Sequence, residues 1–527
     1  MSSANAAVDA RSDPAAPRNL VDSIAGSVAW TAALILVVLL ALSLVLRLQE
    51  LAGPFWIDEG LSVGISSHGL GDIPSILRQD GSPPLYYLVL HVWSDVFGYG
   101  VTATHTLSLA FAAISIPVAL WAGWRLFGRR AGIFCAALFA LNPMLSAYAQ
   151  ETRMYSLLAL LGLIGAAAFV QVFVYRRRAW IAVFAGAMAA MFYTHNWAAF
   201  FALGALSALG LLLRWSDERR ALARDAVLSF GVPAVLYLPW LPTLVSQARH
   251  TGAPWASHPD VATLIHAPYS MLGSPQIGTA VLLGAGAGLV MLWRRRPRSQ
   301  EAVAGAALCA ILVVGLLIAF VYSQLELAWA ARYLTVFLGP GLLLAALGFA
   351  RAGGLGVVAG MLVLALSIGV TGRTVADDKS NVDRVGHRFA PRVERGDVVL
   401  STQPEQIPNL YYYLPPGLTY VSPLGTAPDP RVMDWRDAVD RLRAAHVSAD
   451  LLPMLDRLAP GRRLLVVSPV LRYSTWRAPW TRLVKRKSKQ WNRAIAAYPG
   501  LRRIRGLRPH DASRLSTVRA TLFVKRR

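Results

Sequence analysis

Two adjacent carboxylates, Asp58 and Glu59 in FWIDEGLS, stand just beyond the first long apolar run of a 527-residue chain. Other acids follow other apolar runs, Glu151 in YAQETRMYS and Glu326 in SQLELAWAARY. An uncovered carboxylate beside hydrocarbon is costly, so its presence at a span end points to a site or a polar cavity. Taken singly, each could be a solvated charge at a helix end. A pair flanked by Phe55 and Trp56 is harder to explain that way. Cations are scarce in the same segments: Arg153 lies two residues after Glu151, and Arg332 opens an apolar run in AARYL. Either could pair with a nearby carboxylate or a headgroup. Together, carboxylates for proton transfer and guanidiniums for bidentate phosphate binding are what transfer from a lipid phosphate requires.

The elements that must position these residues are long apolar helices. Runs able to cross about 30 Å of hydrocarbon fall at 28–47, 101–124, 131–149, 155–175, 179–195, 197–213, 226–244, 277–293, 302–322, 334–350 and 355–371. The first is too long for a signal peptide and lacks a small-residue cleavage site, so residues 1–26 read as a cytoplasmic tail. With that end inside, 17 Lys and Arg of the membrane part fall in cytoplasmic segments and five outside, as the positive-inside rule requires. Eleven spans then place the C-terminal part outside the cytoplasm. The segment PPLYYLVLHVWSDVFG at 83–98 is short and carries Asp95, so it reads as a helix lying at the outer surface within a first outer loop of 48–100.

Composition agrees with this plan. The chain is 55% hydrophobic and 15% charged, against about 45–50% and about 25% in soluble domains, and its mean hydropathy is +0.45. A plain cytosolic enzyme and a disordered protein are both excluded. Yet the net charge is +23, and most of it is late: up to Thr371 there are 22 Lys and Arg against 16 Asp and Glu, and beyond it 30 against 13. Cys135 and Cys309 both lie in apolar runs, so no disulfide framework is implied.

The succession FWIDEGLS, DGSPPLYYLVLHVW and LFGRRAGIFCAALFALNPMLSAYAQETRMYSLLAL resembles the integral-membrane GT-C glycosyltransferases, nearest to the branch of protein O-mannosyltransferases and the aminoarabinose transferase of lipid A. The likeness is most specific over residues 50–160 and persists later mainly in ARYL. It implies a mostly α, polytopic fold and a sugar donor carried on a polyprenyl phosphate, transferred with inversion at the outer face. On this chain Asp58 becomes the general base, and Glu59 orients it or the acceptor. Asp80 and Glu151 line the acceptor or sugar pocket, Arg153 and Arg332 hold the leaving phosphate, and Tyr155 and Tyr333 beside them bind substrate. His195 and Asn196 in YTHNW would bond sugar hydroxyls, although a histidine there also serves as a plain polar cap. Ser82 stands where many relatives carry a histidine, and ETR replaces the DxD of metal-dependent relatives, so a divalent metal is admissible but not indicated.

Residues 372–527 change pattern. GDVVLST and RRLLVVSPV read as buried strands and 434–445 as an amphipathic helix, together a small α/β domain. RLVKRKSKQ at 482–490 and LRRIRGLRPH at 501–510, with Trp476, Trp480 and Trp491 interleaved, form a basic belt. Outside the cytoplasm such a belt suits anionic lipid or glycan and not nucleic acid; a solvated helix face is the plainer alternative.

The leading expectation is therefore an inverting glycosyltransferase of a bacterial plasma membrane, moving a sugar, mannose or arabinose, from polyprenyl phosphate to an envelope glycan, lipid or protein. A lipid-linked-sugar transporter and a non-catalytic membrane subunit are the rivals, and the oligomeric state is open.

Overall fold

The computed structural model describes residues 18–374, 379–470, 478–507 and 517–526, with side chains from Trp30 onward except those of 372–374. Residues 1–17 of the expected tail, Trp476 and the 508–510 end of the basic belt lie outside them. The described part is a helical bundle with a small mixed sheet packed on one end.

Among the described residues, nine helices are long and apolar enough to cross a membrane: Trp30–Arg47, Val101–Phe127, Tyr155–Val174, Ala198–Trp215, Arg219–His250, Pro275–Arg295, Gln300–Leu325, Ala331–Arg351 and Gly353–Thr371. Their outward faces expose Leu34, Val38, Val235, Leu283, Val321 and Val358. Apolar surface on that scale needs lipid against it, and the chain is a multi-pass membrane protein.

The two remaining expected spans are shorter than a full crossing. The 179–195 run forms a turn and the helix Ile181–Thr194. The 131–149 run divides into Arg129–Leu141 and Pro143–Tyr148. Pro143 has no N–H to give the carbonyl of Phe139, four residues earlier, so a continuous helix would strand that acceptor. Arg47, at the end of the first span, supplies the bond instead: its Nη2 donates to Phe139 O at 2.9 Å and its Nε to Ser146 Oγ at 3.2 Å. Asn142 caps the second piece, accepting from Leu145 N at 2.8 Å. Arg47 is thus a fully buried strut and not the outer-surface cation that counting made it. The break turns the chain so that Gln150, Glu151, Thr152 and Arg153 form a short loop before helix Tyr155–Phe169. Leu85–Phe97 is a separate short apolar helix.

The small domain holds six strands: β1 (Val398–Ser401), β2 (Thr419–Ser422), β3 (Gly425–Thr426), β4 (Arg463–Pro469), β5 (Leu501–Leu507) and β6 (Val518–Lys525). Their order is β3-β2-β1-β4-β6-β5. β1 lies parallel to β2 and β4, with Val398 opposite Leu464, while β6 runs antiparallel to both β4 and β5. Both faces of the centre are covered. Val399, Leu465 and Val467 pack under Val385, Phe389 and Leu410, and Leu400, Leu464 and Val466 pack under Leu455, Trp491 and Ile495. That double burial explains why RLLVVSP reads as an unbroken apolar run.

The basic belt is corrected by this packing. Trp480 and Trp491 are core residues, because helix Pro479–Ala497 turns Trp480, Leu483, Val484, Lys487, Trp491 and Ile495 inward together. Lys487 donates to the carbonyls of Arg443 and Ala445. Arg482, Arg486, Lys489 and Arg493 form the solvated face, and Arg502, Arg503 and Arg505 lie exposed on edge strand β5. The expected helix at 434–445 is confined to Ala438–Ala444, since Asp434 is engaged by Arg436 and Arg441 in the preceding turn.

Candidate functional site

Helix Ile57–Ser66 carries the carboxylate pair and lies between the bundle and the small domain. Ile57 and Leu61 pack with Met433, Trp435 and Trp480, whereas Ile65 belongs to the bundle core. Gly60 and Gly64, one turn apart, let the backbone of the small domain come close: a Cβ on Gly64 would stand 1.9 Å from Arg431 O, and one on Gly60 would stand 2.8 Å from Asn409 Cα. The remaining face, with Asp58 and Ser62 spaced four residues apart, meets the loop at 150–153.

The two acids of the pair have different surroundings. Glu59 is wholly buried. At the third helical position it reaches back, Oε2 accepting from Trp56 N at 3.1 Å, half of a capping box. Its Oε1 accepts from Thr152 N at 2.8 Å, lies 2.5 Å from His105 Nε2 and 3.5 Å from Lys379 Nζ. Burial alone would push its carboxyl up, but Lys379, His105 and the Thr152 N–H together hold it down at about 2. Glu59 therefore ties four chain segments together, with neither oxygen exposed to solvent.

Asp58 is the accessible one, with 19% of its side chain exposed. Its Oδ2 lies 3.6 Å from Arg332 Nη2 and 3.9 Å from Arg153 Nη2, and accepts no hydrogen bond. Arg153 is held by the same helix, its Nη1 donating to Ser62 Oγ at 3.0 Å and to Asp58 O at 3.3 Å. The guanidiniums stack on aromatic rings, Arg153 5.7 Å from the Tyr155 centroid and Arg332 5.5 Å from Tyr333 and 5.9 Å from Trp56. Both Nε atoms are buried without a hydrogen-bond partner. Two cations fixed by stacking, with donors unspent, flank one carboxylate oxygen.

Glu151 is buried in the adjoining loop, and its Oε2 has no hydrogen-bond partner. Burial pushes its carboxyl up to about 7, Lys379 opposing and the charges of Glu59 and Asp58 adding to the rise. Asp80 ends helix Ile73–Asp80 and is also buried; burial raises it, with Ser82 and Arg153 opposing. His195 stands 4.6 Å from Tyr333 and 6.1 Å from Tyr155, ring to ring. Its Nδ1 accepts from Trp197 N at 3.1 Å. Burial and the two arginines hold it down at about 3, so the ring is neutral and Nε2 carries the proton.

Of the ten residues read from the sequence, nine gather around the Asp58 side chain: Asp58 itself, Glu59, Asp80, Glu151, Arg153, Tyr155, His195, Arg332 and Tyr333. Asn196 does not. It is exposed and its amide reaches Gly81 O at 3.4 Å, turned away from the buried cluster. Glu326 is exposed as well, at the end of Gln300–Leu325. Two further residues were missed. His105 sits inside an apolar helix, where an ionisable side chain is itself a signal. Lys379 is the first lysine of the chain, which is a faint signal at best. Its Nζ donates to Gln150 O beside Glu59, bringing the link to the small domain into the site. Among the described residues no group of three His, Cys, Asp or Glu could hold a metal ion.

No family model and no curated protein matches the sequence. Solved structures do. ArnT from Cupriavidus metallidurans in its apo state matches with a TM-score of 0.62 at 14% identity, covering 94% of this chain and 98% of that one. The chain has the GT-C fold. ArnT bound to undecaprenyl phosphate matches this chain with a TM-score of 0.60 at 15% identity over the same shares. Arabinofuranosyltransferase AftD from Mycobacteria gives 0.54 at 15% identity, over 93% of this chain and 40% of that one.

Proposed function

We propose that this GT-C chain is an inverting glycosyltransferase that takes a sugar, mannose or arabinose, from a polyprenyl-phosphate donor at the outer face of a bacterial plasma membrane. The acceptor is an envelope glycan, lipid or protein. The observation that carries the reading is the placement of Asp58 Oδ2 between Arg332 and Arg153, at 3.6 and 3.9 Å. The undecaprenyl phosphate bound by ArnT supports the donor class.

In this reading the acceptor hydroxyl attacks the anomeric carbon while its proton passes to Asp58. The new C–O bond forms as the bond from the anomeric carbon to phosphate oxygen breaks on the opposite side, which inverts the centre. The polyprenyl phosphate leaves with the electron pair, and Arg153 and Arg332 stabilise its growing charge. General-base help of this kind is worth about 10²–10⁴-fold. Glu59 holds the helix that aims Asp58 and takes no proton. The neutral His195 donates Nε2–H toward a sugar hydroxyl over the Tyr155 and Tyr333 rings.

The geometry favours a second assignment of the base. Glu151 has an unpartnered oxygen and a carboxyl held up at about 7, suited to accepting a proton near neutrality. Incubating purified protein with radiolabelled polyprenyl-phosphate sugars and an envelope extract tests both. Label moves to the acceptor with wild type and not with Asp58→Asn; retained transfer in D58N with loss in E151Q reverses the roles. Passage of labelled donor across vesicles without transfer sinks the enzyme reading.

A further inference from the structure

On the small domain, away from Asp58, a second set of basic residues shares one concavity of about 370 Å³. Helix Val382–Phe389 contributes Arg384, His387 and Arg388, the following turn contributes Arg392, and strand β5 contributes Arg505. The placement follows from the fold. Val382, Val385 and Phe389 are buried against the sheet, so Arg384 and His387 are turned outward and Arg388 is partly exposed, while the register shift between Arg503 and Arg505 re-aims the edge strand.

Among the described residues His387, Arg388, Arg392 and Arg505 form no ion pair with a carboxylate. Arg388 Nε is buried without a hydrogen-bond partner. Arg392 is spent in part on the backbone, its Nη1 donating to Arg388 O, and Arg463 Nη1 in turn donates to Arg392 O at 2.7 Å. These bonds fix the concavity's floor without neutralising it. Like charges held together by a scaffold repel one another, and a bound polyanion relieves that repulsion. Arginine forks in particular match the oxygens of a phosphate.

We propose that this concavity is a binding site for a phosphate group, separate from the donor-phosphate site at Arg153 and Arg332. The phosphate belongs either to an anionic lipid headgroup or to a free phosphate ester. Val382 follows only eight positions after Thr374, the end of the last helix long and apolar enough to cross a membrane, so a headgroup at the bilayer surface is within reach.

The test uses the full-length protein in detergent, titrated at equilibrium with inorganic pyrophosphate, with dihexanoyl phosphatidylglycerol and with dihexanoyl phosphatidylcholine. Arg388→Gln with Arg505→Gln leaves the donor-site arginines intact, so any difference from wild type reports on this concavity. The double variant should weaken anion binding about tenfold or more, the scale of losing charged hydrogen bonds, and Arg388→Lys with Arg505→Lys should recover part of it. Loss confined to phosphatidylglycerol assigns a lipid headgroup; loss of pyrophosphate binding as well assigns the phosphate itself. Unchanged affinities in the Gln variant overturn the proposal. So does a wild type that binds neither anion above the phosphatidylcholine control. If the Gln variant fails to fold, an unaltered affinity in the Arg505→Gln single variant overturns it equally, and a weakened one supports it.

Discussion

Glu59 Oε1 and His105 Nε2 lie 2.5 Å apart with neither side chain exposed to solvent. The imidazole's other nitrogen, Nδ1, is 2.8 Å from Leu51 O. One carboxylate therefore joins the helix that bears Asp58, the long helix Val101–Phe127, the loop at 150–153 and the link to the small domain. Neighbours in the chain, Asp58 and Glu59 have different partners: Asp58 lies beside Arg332 and Arg153, and Glu59 is buried against His105, Thr152 and Lys379.

Glu59→Gln should cost stability first. Removing one member of a buried charge group leaves its partners uncompensated, at about 3–5 kcal/mol. A lowered thermal midpoint is expected, with activity lost through misplacement of Asp58. A variant as stable as wild type would show that His105 and Lys379 do not depend on the Glu59 charge.

Acid should act on the same group. Glu59 is held down at about 2 from an ordinary 4.5, so its contribution is fully present above the unfolded value and is lost as pH falls from 4.5 toward 2. Stability measured across that window should fall more steeply in wild type than in E59Q.

Asp58→Asn should leave the fold intact, because the Asp58 side chain accepts no hydrogen bond from protein through Oδ2 and only its backbone oxygen supports Ser62 and Arg153. Transfer should drop about 10²–10⁴-fold, read by product formation alongside a melting curve that still shows a cooperative folded protein.

Glu151 sets a pH limb. With its carboxyl held up at about 7, kcat/KM should rise through that pH in wild type, and the limb should be absent in Glu151→Gln. Lys379 opposes the rise, so Lys379→Met should move the limb to higher pH. The stability sign is opposite to that of Glu59: a raised carboxyl costs folding free energy as pH climbs from its unfolded value to about 7. A limb that persists in E151Q belongs to another group.

Arg332→Gln should weaken both donor binding and turnover. One charge-assisted contact to phosphate is worth about 1.5–3 kcal/mol, so kcat/KM should fall about tenfold to a hundredfold. An unaltered value would place the leaving phosphate elsewhere.

Much of this was legible along the chain. Apolar runs longer than a bilayer is thick can only be helices, and their ends located the acids and arginines. The strands of the small domain were legible for the same reason, since two buried faces demand a continuous apolar stretch. The break at Asn142 was not read, although Pro143 was in view, because the sequence does not say that Arg47 would replace the missing bond. Trp480 and Trp491 were assigned to a surface because basic neighbours alternate with them; the helical face they share became evident only against the sheet.

What the sequence determined by itself is the inventory: a multi-pass helical protein with few charges beside its spans and a basic appended domain, because hydropathy and charge depend on residue type and local order alone. What only the tertiary structure decided is which charges meet. Asp58 faces Arg153 and Arg332, while Glu59, one residue on, turns to His105, Thr152 and Lys379. Adjacent residues on a helix point about 100° apart, and their partners, up to 320 residues away, are brought to each side of that helix by packing that no local pattern encodes.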